Sequence, residues 1–463
     1  MSDTRTLTHF YQEIYTKKTP RSREIWLKMQ QIVPYGVHSN WRIFDPYPLI
    51  IARGRGSRVW DIDGNEYIDY NMAFGALIVG HANPVLVERI KQKLEEGTIY
   101  GFETEYSYLL AEELLKRFNY EMVRFSTTGS EATMLAIRLA RATTNRPKIL
   151  KFEGHYHGTF EILAVGLKPE PRHAGHPKKP RSVPAGLPYR IMPEEYAKYV
   201  IIAPWNDIEA VEQIMREHGN DIAAIILEPI PMNMGVIPAD KEFMKSLREL
   251  ADEYNSLLIY DEVKTCSMWY RGAQEYYGVK ADIVAIGKGL GSGLPFSAVL
   301  ASRELMELIG PRKVPHGGTF NSNPISVYGV YVAVKELLTE ANLAYTHKLS
   351  DELAKGYKDI IEDRKIDAYV SHVANRGIVY FSKEQVKNWR DVKTKVNWGL
   401  WYTWCLGMLI NGVIPQALAP DDQWSISIMH TKEDIQKTIE VADKVFSGIK
   451  GKLVTPIPLE EAF

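Results

Sequence analysis

Apolar positions recur along this chain with two different periods. Around residues 57–70 they alternate with polar ones on either side of Asp63-Gly64, which predicts a β-hairpin. Residues 1–30 are polar and charged with scattered aromatics, and predict an N-terminal helix that lies on another surface. From residue 84 the spacing turns helical, over 84–96, 107–118 and 129–144. Short apolar runs at 123–126, 148–152, 223–228, 257–263 and 283–287 read as strands, with a helix over 241–255 between two of them. Strands spaced by helices predict βαβ units and a mostly parallel sheet, hence an α/β fold with helices on both faces. The proline-rich basic stretch 168–193 predicts a long loop, a lid or a disordered segment, with its charges on a solvated face. Beyond Pro324 the pattern changes to helices at 326–339, 349–362 and 431–446 with strands at 377–381 and 424–429. The expected division is an N-terminal segment 1–70 that joins the small domain, a large domain 71–324, and a smaller C-terminal α+β domain 325–463.

Composition narrows the class. A hydrophobic share of 45% and a charged share of 24% are those of a globular protein. The net charge of -1 gives no reason to expect nucleic acid or an anionic membrane as partner. Cys266 and Cys405 are the two cysteines, too few for a disulfide framework or a CxxC metal pair, which suits a reducing cytoplasm. Met1-Ser2-Asp3-Thr4-Arg5 starts no apolar leader, and no apolar run reaches membrane-spanning length. A cytoplasmic protein is the expectation.

Candidate chemistry centres on Lys288. The apolar run Ile283-Val284-Ala285-Ile286 ends in Gly287-Lys288 and a glycine-rich loop, which would deliver the lysine into a cleft at the sheet's carboxyl edge. Desolvation there lowers an amine's pKa and makes it a nucleophile toward a carbonyl. A P-loop or dinucleotide loop is the rival, and it fails on spacing, since Ser292 stands where a third glycine belongs. Three further features accompany the lysine. Gly129-Ser130 opens a helix and offers free amides to an anion, although taken alone an ordinary N-cap with Glu131 in the first turn is the favoured reading. Asp261 closes another buried run and calls for a cationic partner. Glu153-Gly154-His155-Tyr156-His157-Gly158 follows a strand and offers an aromatic face; a His-x-His metal site would need a third ligand that is not nearby. An anion site, a buried carboxylate, an aromatic ring and an amine match the four handles of pyridoxal phosphate.

The motifs Gly36-Val37-His38-Ser39-Asn40-Trp41-Arg42, Gly80-His81-Ala82-Asn83-Pro84, Thr128-Gly129-Ser130-Glu131-Ala132, Glu228-Pro229, Asp261-Glu262-Val263, Gly287-Lys288 and Gly317-Gly318-Thr319-Phe320-Asn321 stand in one order. In that order the sequence resembles a class III aminotransferase of PLP fold type I, in the branch containing glutamate-1-semialdehyde aminomutase. The resemblance implies roles for individual residues. Lys288 is the lysine that carries the cofactor and moves the proton. Asp261 pairs with the pyridine nitrogen, Val263 and Tyr156 cover the two ring faces, and Gly129 and Ser130 bind the phosphate. Glu228 lies near the cofactor, and Thr319 reaches the phosphate of a neighbouring subunit, which implies a homodimer with shared sites. Arg42 holds a substrate carboxylate beside a wall of Trp41, Phe44, Tyr47 and Phe74. The chain departs from the aminomutase pattern at Ala73-Phe74-Gly75, at the lid segment Ser182-Val183-Pro184-Ala185-Gly186-Leu187-Pro188 and at Asp421-Asp422-Gln423. The expected function is therefore amino-group transfer between an amino acid, a β- or D-amino acid with an apolar body among them, and a 2-oxo acid. The alternative is glutamate-1-semialdehyde 2,1-aminomutase.

Overall fold

The computed structural model describes residues 4–185 and 191–449. Two compact units divide the chain: 84–343 with 386–394, and 1–83 with 344–385 and 395–463. The boundaries thus fall at 83/84 and inside the helix Glu340–Arg364, not at 70/71 and 324/325. At 343/344 the sequence offers no break because the helix runs on across the boundary. The short segment 386–394 returns to the large unit.

The large unit is built on a seven-stranded sheet. Its strands, in chain order, are β1 (Met122–Ser126), β2 (Lys148–Phe152), β3 (Val200–Ala203), β4 (Ile222–Leu227), β5 (Leu257–Asp261), β6 (Ile283–Ile286) and β7 (Ser297–Ala301). They lie in the order β1-β7-β6-β5-β4-β2-β3. Every pair from β6 through to β3 is parallel, and β7 runs antiparallel to both its neighbours. Strand β4, Ile-Ala-Ala-Ile-Ile-Leu, is buried at all six positions, as a central parallel strand requires. Helix α1 (Gly129–Thr144) buries Ala132, Leu135, Ala136, Leu139 and Ala140 at helical spacing in the same core as β4 and β7. Each large aliphatic side chain buried in this way contributes about 1.5–3 kcal/mol. In an all-parallel run the carboxyl ends of β2, β4, β5 and β6 share one edge, and the residues that follow them form the site described below.

The loop expected over 168–193 is only partly irregular. Gly175–His176 pairs with Lys179–Pro180 in a two-stranded ladder, with Pro180 at its end, where no amide is needed. Gly186-Leu187-Pro188 of the lid segment lie outside the described residues, as do residues 1–3 and the end of the small domain from residue 450.

The smaller unit holds a four-stranded sheet that contains the predicted hairpin, Arg58–Asp61 against Glu66–Asp69. A three-stranded sheet joins Tyr369–Val373, Arg376–Tyr380 and Trp424–Ser425. The N-terminal helix Thr4–Lys18 packs on the helix Trp398–Ile410, where Thr8 and Thr403 hydroxyls meet at 2.6 Å. Trp398–Ile410 escaped the sequence reading because it is apolar all round and has no period to betray it; twelve of its thirteen residues are buried. Phe44 and Tyr47, expected beside Arg42 in a pocket wall, belong to this unit's core, where the Tyr47 hydroxyl meets that of Thr19 at 2.9 Å. The turn Met72–Gly75 has left-handed backbone at four residues in succession, φ 43, 53, 58 and 80. Three of them are not glycine, at a cost of about 1–2 kcal/mol each.

Candidate active site

Lys288 follows β6 by one glycine and begins a short turn, Lys288–Gly291. Its φ of 39 is left-handed, and the preceding Gly287 carbonyl accepts from the Cys266 thiol at 3.3 Å. Asp261, the last residue of β5, is buried. One carboxylate oxygen accepts the Val263 amide at 3.1 Å, and the other lies 2.8 Å from His157 Nδ1. Burial pushes the Asp261 carboxyl up to about 7, against the Val263 amide and the charges of Lys288 and Lys264, which pull it down. His157 is fully buried, and burial first, then the Lys151 charge, holds its imidazole well below the usual range. A neutral imidazole beside an ionised Asp261 carries its proton on Nδ1 and donates it to the carboxylate. Sequence reasoning reaches His157 only as a metal ligand and misses its place beside Asp261. The nearby signal was its place two residues beyond His155 at a strand end.

The turn 155–157 is held by side chains from three other elements. Glu228, after β4, accepts the Tyr156 amide at 2.8 Å on one oxygen and Asn233 Nδ2 at 2.8 Å on the other. The Glu228 amide donates to His155 Nδ1 at 3.0 Å, so His155 carries its own proton on Nε2. Lys151, wholly buried in β2, donates to the carbonyls of His155 at 3.1 Å and Leu163 at 2.6 Å. Thr133 of α1 donates to the His157 carbonyl at 2.7 Å. Burial and the Asp261 charge raise the Glu228 carboxyl to about 7, and burial lowers the Lys151 ammonium to about 7.

The start of α1 carries a capping box. Thr128 accepts the Glu131 amide at 3.4 Å, and Glu131 accepts the amides of Thr127 at 3.0 Å and Thr128 at 2.7 Å. That box leaves the first-turn amides of Gly129 and Ser130, which no helix can satisfy internally. Ser130 Oγ accepts the Thr159 amide at 2.9 Å, and a Cβ on Gly158, whose φ is 91, would overlap Ser130. Val263 lies against the helix start, where a Cβ on Gly129 would stand 3.1 Å from its methyls. Lys288, Asp261, Val263, Tyr156, Glu228, Gly129 and Ser130 therefore lie on neighbouring strand ends and the helix start beside them. Thr319 lines a cavity of about 860 Å³ with Arg124, Phe125 and Phe102, and the other candidate residues do not line it. Arg42 and Phe74 belong to the smaller unit, Arg42 exposed in the turn Asn40–Arg42 and Phe74 half-buried. Among the described residues no group of three His, Cys, Asp or Glu could hold a metal ion.

The family profile of Aminotransferase class-III matches residues 42–426. The chain belongs to the class III aminotransferases. This aminotransferase is 38% identical over 440 residues to a glutamate-1-semialdehyde 2,1-aminomutase of Methanopyrus kandleri, covering 94% of this chain and 100% of that one. It is 37% identical to the enzyme of the same name from Archaeoglobus fulgidus, over 92% and 99% of the two chains. Its fold matches an omega-transaminase from Sphaerobacter thermophilus with a TM-score of 0.87 at 28% identity, over 93% and 98% of the chains. It matches a glutamate-1-semialdehyde-aminomutase from Pseudomonas aeruginosa PAO1 in complex with PMP equally well, with a TM-score of 0.87 at 22% identity over 96% and 98%. The fold is PLP fold type I, and the cofactor is pyridoxal 5′-phosphate. The site fits that group. Asp261 is a buried carboxylate held by one amide and one imidazole, to which a protonated pyridine nitrogen would add a positive partner. The helix start supplies amides suited to a phosphate.

Proposed function

We propose that this class III aminotransferase moves an amino group within one molecule, as a glutamate-1-semialdehyde 2,1-aminomutase. The observation that carries the reading is similarity to enzymes of that name from end to end, at 38% identity over 94% of this chain. Bound pyridoxal phosphate supplies a carbonyl for the substrate's amine and an electron sink for charge that develops at Cα. Lys288 Nζ would hold the cofactor, and its free amine would be the group that moves a proton to and from the substrate's Cα. Asp261, kept ionised by the His157 Nδ1 proton, keeps the pyridine nitrogen protonated. Gly129 and Ser130 would hold the phosphate, and Val263 and Tyr156 would hold the ring. Glu228 acts through Tyr156, whose amide it holds. Arg42 offers a carboxylate a two-pronged partner.

A second reading is transfer between an amino acid with an apolar body and a 2-oxo acid. It is favoured by the half-buried phenyl ring of Phe74 on a left-handed turn, in the segment Ala73-Phe74-Gly75 where the chain departs from the aminomutase pattern. Incubating the enzyme with glutamate 1-semialdehyde and no amino acceptor separates the two. Efficient isomerisation supports the aminomutase; turnover only when a donor and an oxo acid are both present supports the aminotransferase with separate substrates. We further propose a homodimer in which Thr319 meets the phosphate of the other subunit. Strongly exposed Phe102 and Phe320, at 83% and 61%, stand beside Thr319 on a surface that a second copy would cover.

A further inference from the structure

The left-handed turn Met72–Gly75 has an unusual support. Asp69 accepts the amides of Asn71 at 2.8 Å and Met72 at 3.2 Å, and Asn71 accepts that of Phe74 at 2.8 Å. The far end of the turn is met by Arg376, whose Nη2 donates to the Gly75 carbonyl at 3.1 Å. Arg376 opens the strand Arg376–Tyr380 and is wholly buried. A buried guanidinium is costly to retain, so its use calls for an explanation. Its contact is close: a Cβ on Gly75 would stand 2.9 Å from Nη2 and 3.3 Å from Ser425 Oγ. The strand that carries Arg376 is itself locked, since Arg376 pairs with Ser425, and the Ser425 amide donates to the Tyr70 carbonyl at 2.8 Å. Asp69 and Arg376 thus grip the two ends of a turn whose backbone, left alone, would relax to the right-handed side. What the turn presents is Ala73, exposed, and Phe74, half-buried. Backbone held in a sparsely populated region by its surroundings marks functional positions.

We infer that Arg376 is the positioning residue of a specificity element: it sets the Phe74 turn, and through Phe74 it decides how bulky a substrate body the enzyme accepts. The inference rests on the second reading above, with Phe74 as a substrate contact, and an enzyme that accepts neither alanine nor phenylalanine as donor removes that reading and the inference with it. Loss of the guanidinium frees the Gly75 carbonyl, lets the turn relax, and removes Phe74 from the place it holds. Lys288 and Asp261 belong to the other unit and need no change for this.

The experiment uses the holoenzyme and follows the half-reaction by cofactor absorbance, with alanine and with phenylalanine as donors. Phe74→Ala should shift the ratio of kcat/KM for the two donors on the order of tenfold. Arg376→Met should shift it in the same direction, carried in KM with kcat held, and the double variant should go no further than Phe74→Ala. Arg376→Lys, which keeps a donor, should recover part of the ratio. A ratio that stays at the wild-type value in Arg376→Met while Phe74→Ala moves it overturns the inference and leaves the reading of Phe74 standing. An equal fall of kcat for both donors also overturns it, since that is general damage. An unchanged ratio in Phe74→Ala removes Phe74 as a contact, and the inference with it. Should Arg376→Met fail to fold, Arg376→Gln reads the same ratio under the same criteria.

Discussion

Keeping Asp261 ionised is expensive, because the chain gives it one amide and one imidazole in place of water. Its carboxyl sits at about 7 in the fold, above the ordinary 3.8. At Asp261 the folded state therefore holds a proton that the unfolded chain has lost, and this residue's contribution to the stability of the cofactor-free protein falls as pH rises from about 4 to about 7. Asp261→Asn removes that loss. Calorimetry on cofactor-free protein should find the variant more stable than the parent at pH 8 and no more stable at pH 4. In the holoenzyme the same change should cut the rate by orders of magnitude with the circular dichroism intact. Arg42 makes a different prediction. Arg42→Ala should weaken carboxylate-bearing substrates by roughly 1.5–3 kcal/mol, the worth of a hydrogen bond to a charged group. Simple amines should be affected far less, and equal losses for both would remove Arg42 from the substrate.

At the scale of elements, the proposed phosphate site depends on a helix start and a turn pressed together. Gly158 has φ 91 and no room for a Cβ against Ser130, so Gly158→Ala strains the backbone and displaces Ser130. The variant should bind pyridoxal phosphate on the order of tenfold more weakly, the effect of about 1.4 kcal/mol, by equilibrium titration; unchanged affinity would separate Ser130 from the phosphate. Most helices of the large unit were legible from their period, and five of its strands from short apolar runs between them. The start of α1 was legible as a choice, and the structure holds both answers, a capping box and a pair of first-turn amides. β3 and β7 were not legible, since short runs such as Val-Ile-Ile-Ala and Ser-Ala-Val-Leu-Ala carry no alternation. The support of the turn 155–157 by Lys151, Glu228 and Thr133 was not legible either, because those residues are 4 to 72 positions away and meet it only through the sheet order.

At the scale of the molecule, chain order and packing diverge. Residues 386–394 lie between stretches of the smaller unit yet belong to the large one. They are fastened by Arg390, which pairs with Glu153 at 2.8 and 3.0 Å and donates to the carbonyls of Ala174 and Gly175. No sequence period records such a return. The proposed dimer also belongs to this scale: sedimentation at assay concentration should find a dimer, and an active monomer would end the claim that Thr319 serves another subunit's site. All of these readings depend on one covalent link. Reduction of the holoenzyme with borohydride, followed by peptide mapping, should find the cofactor on Lys288, and Lys288→Ala should show no reducible link. Cofactor mapped to Lys264, Lys151 or any other lysine would contradict the account.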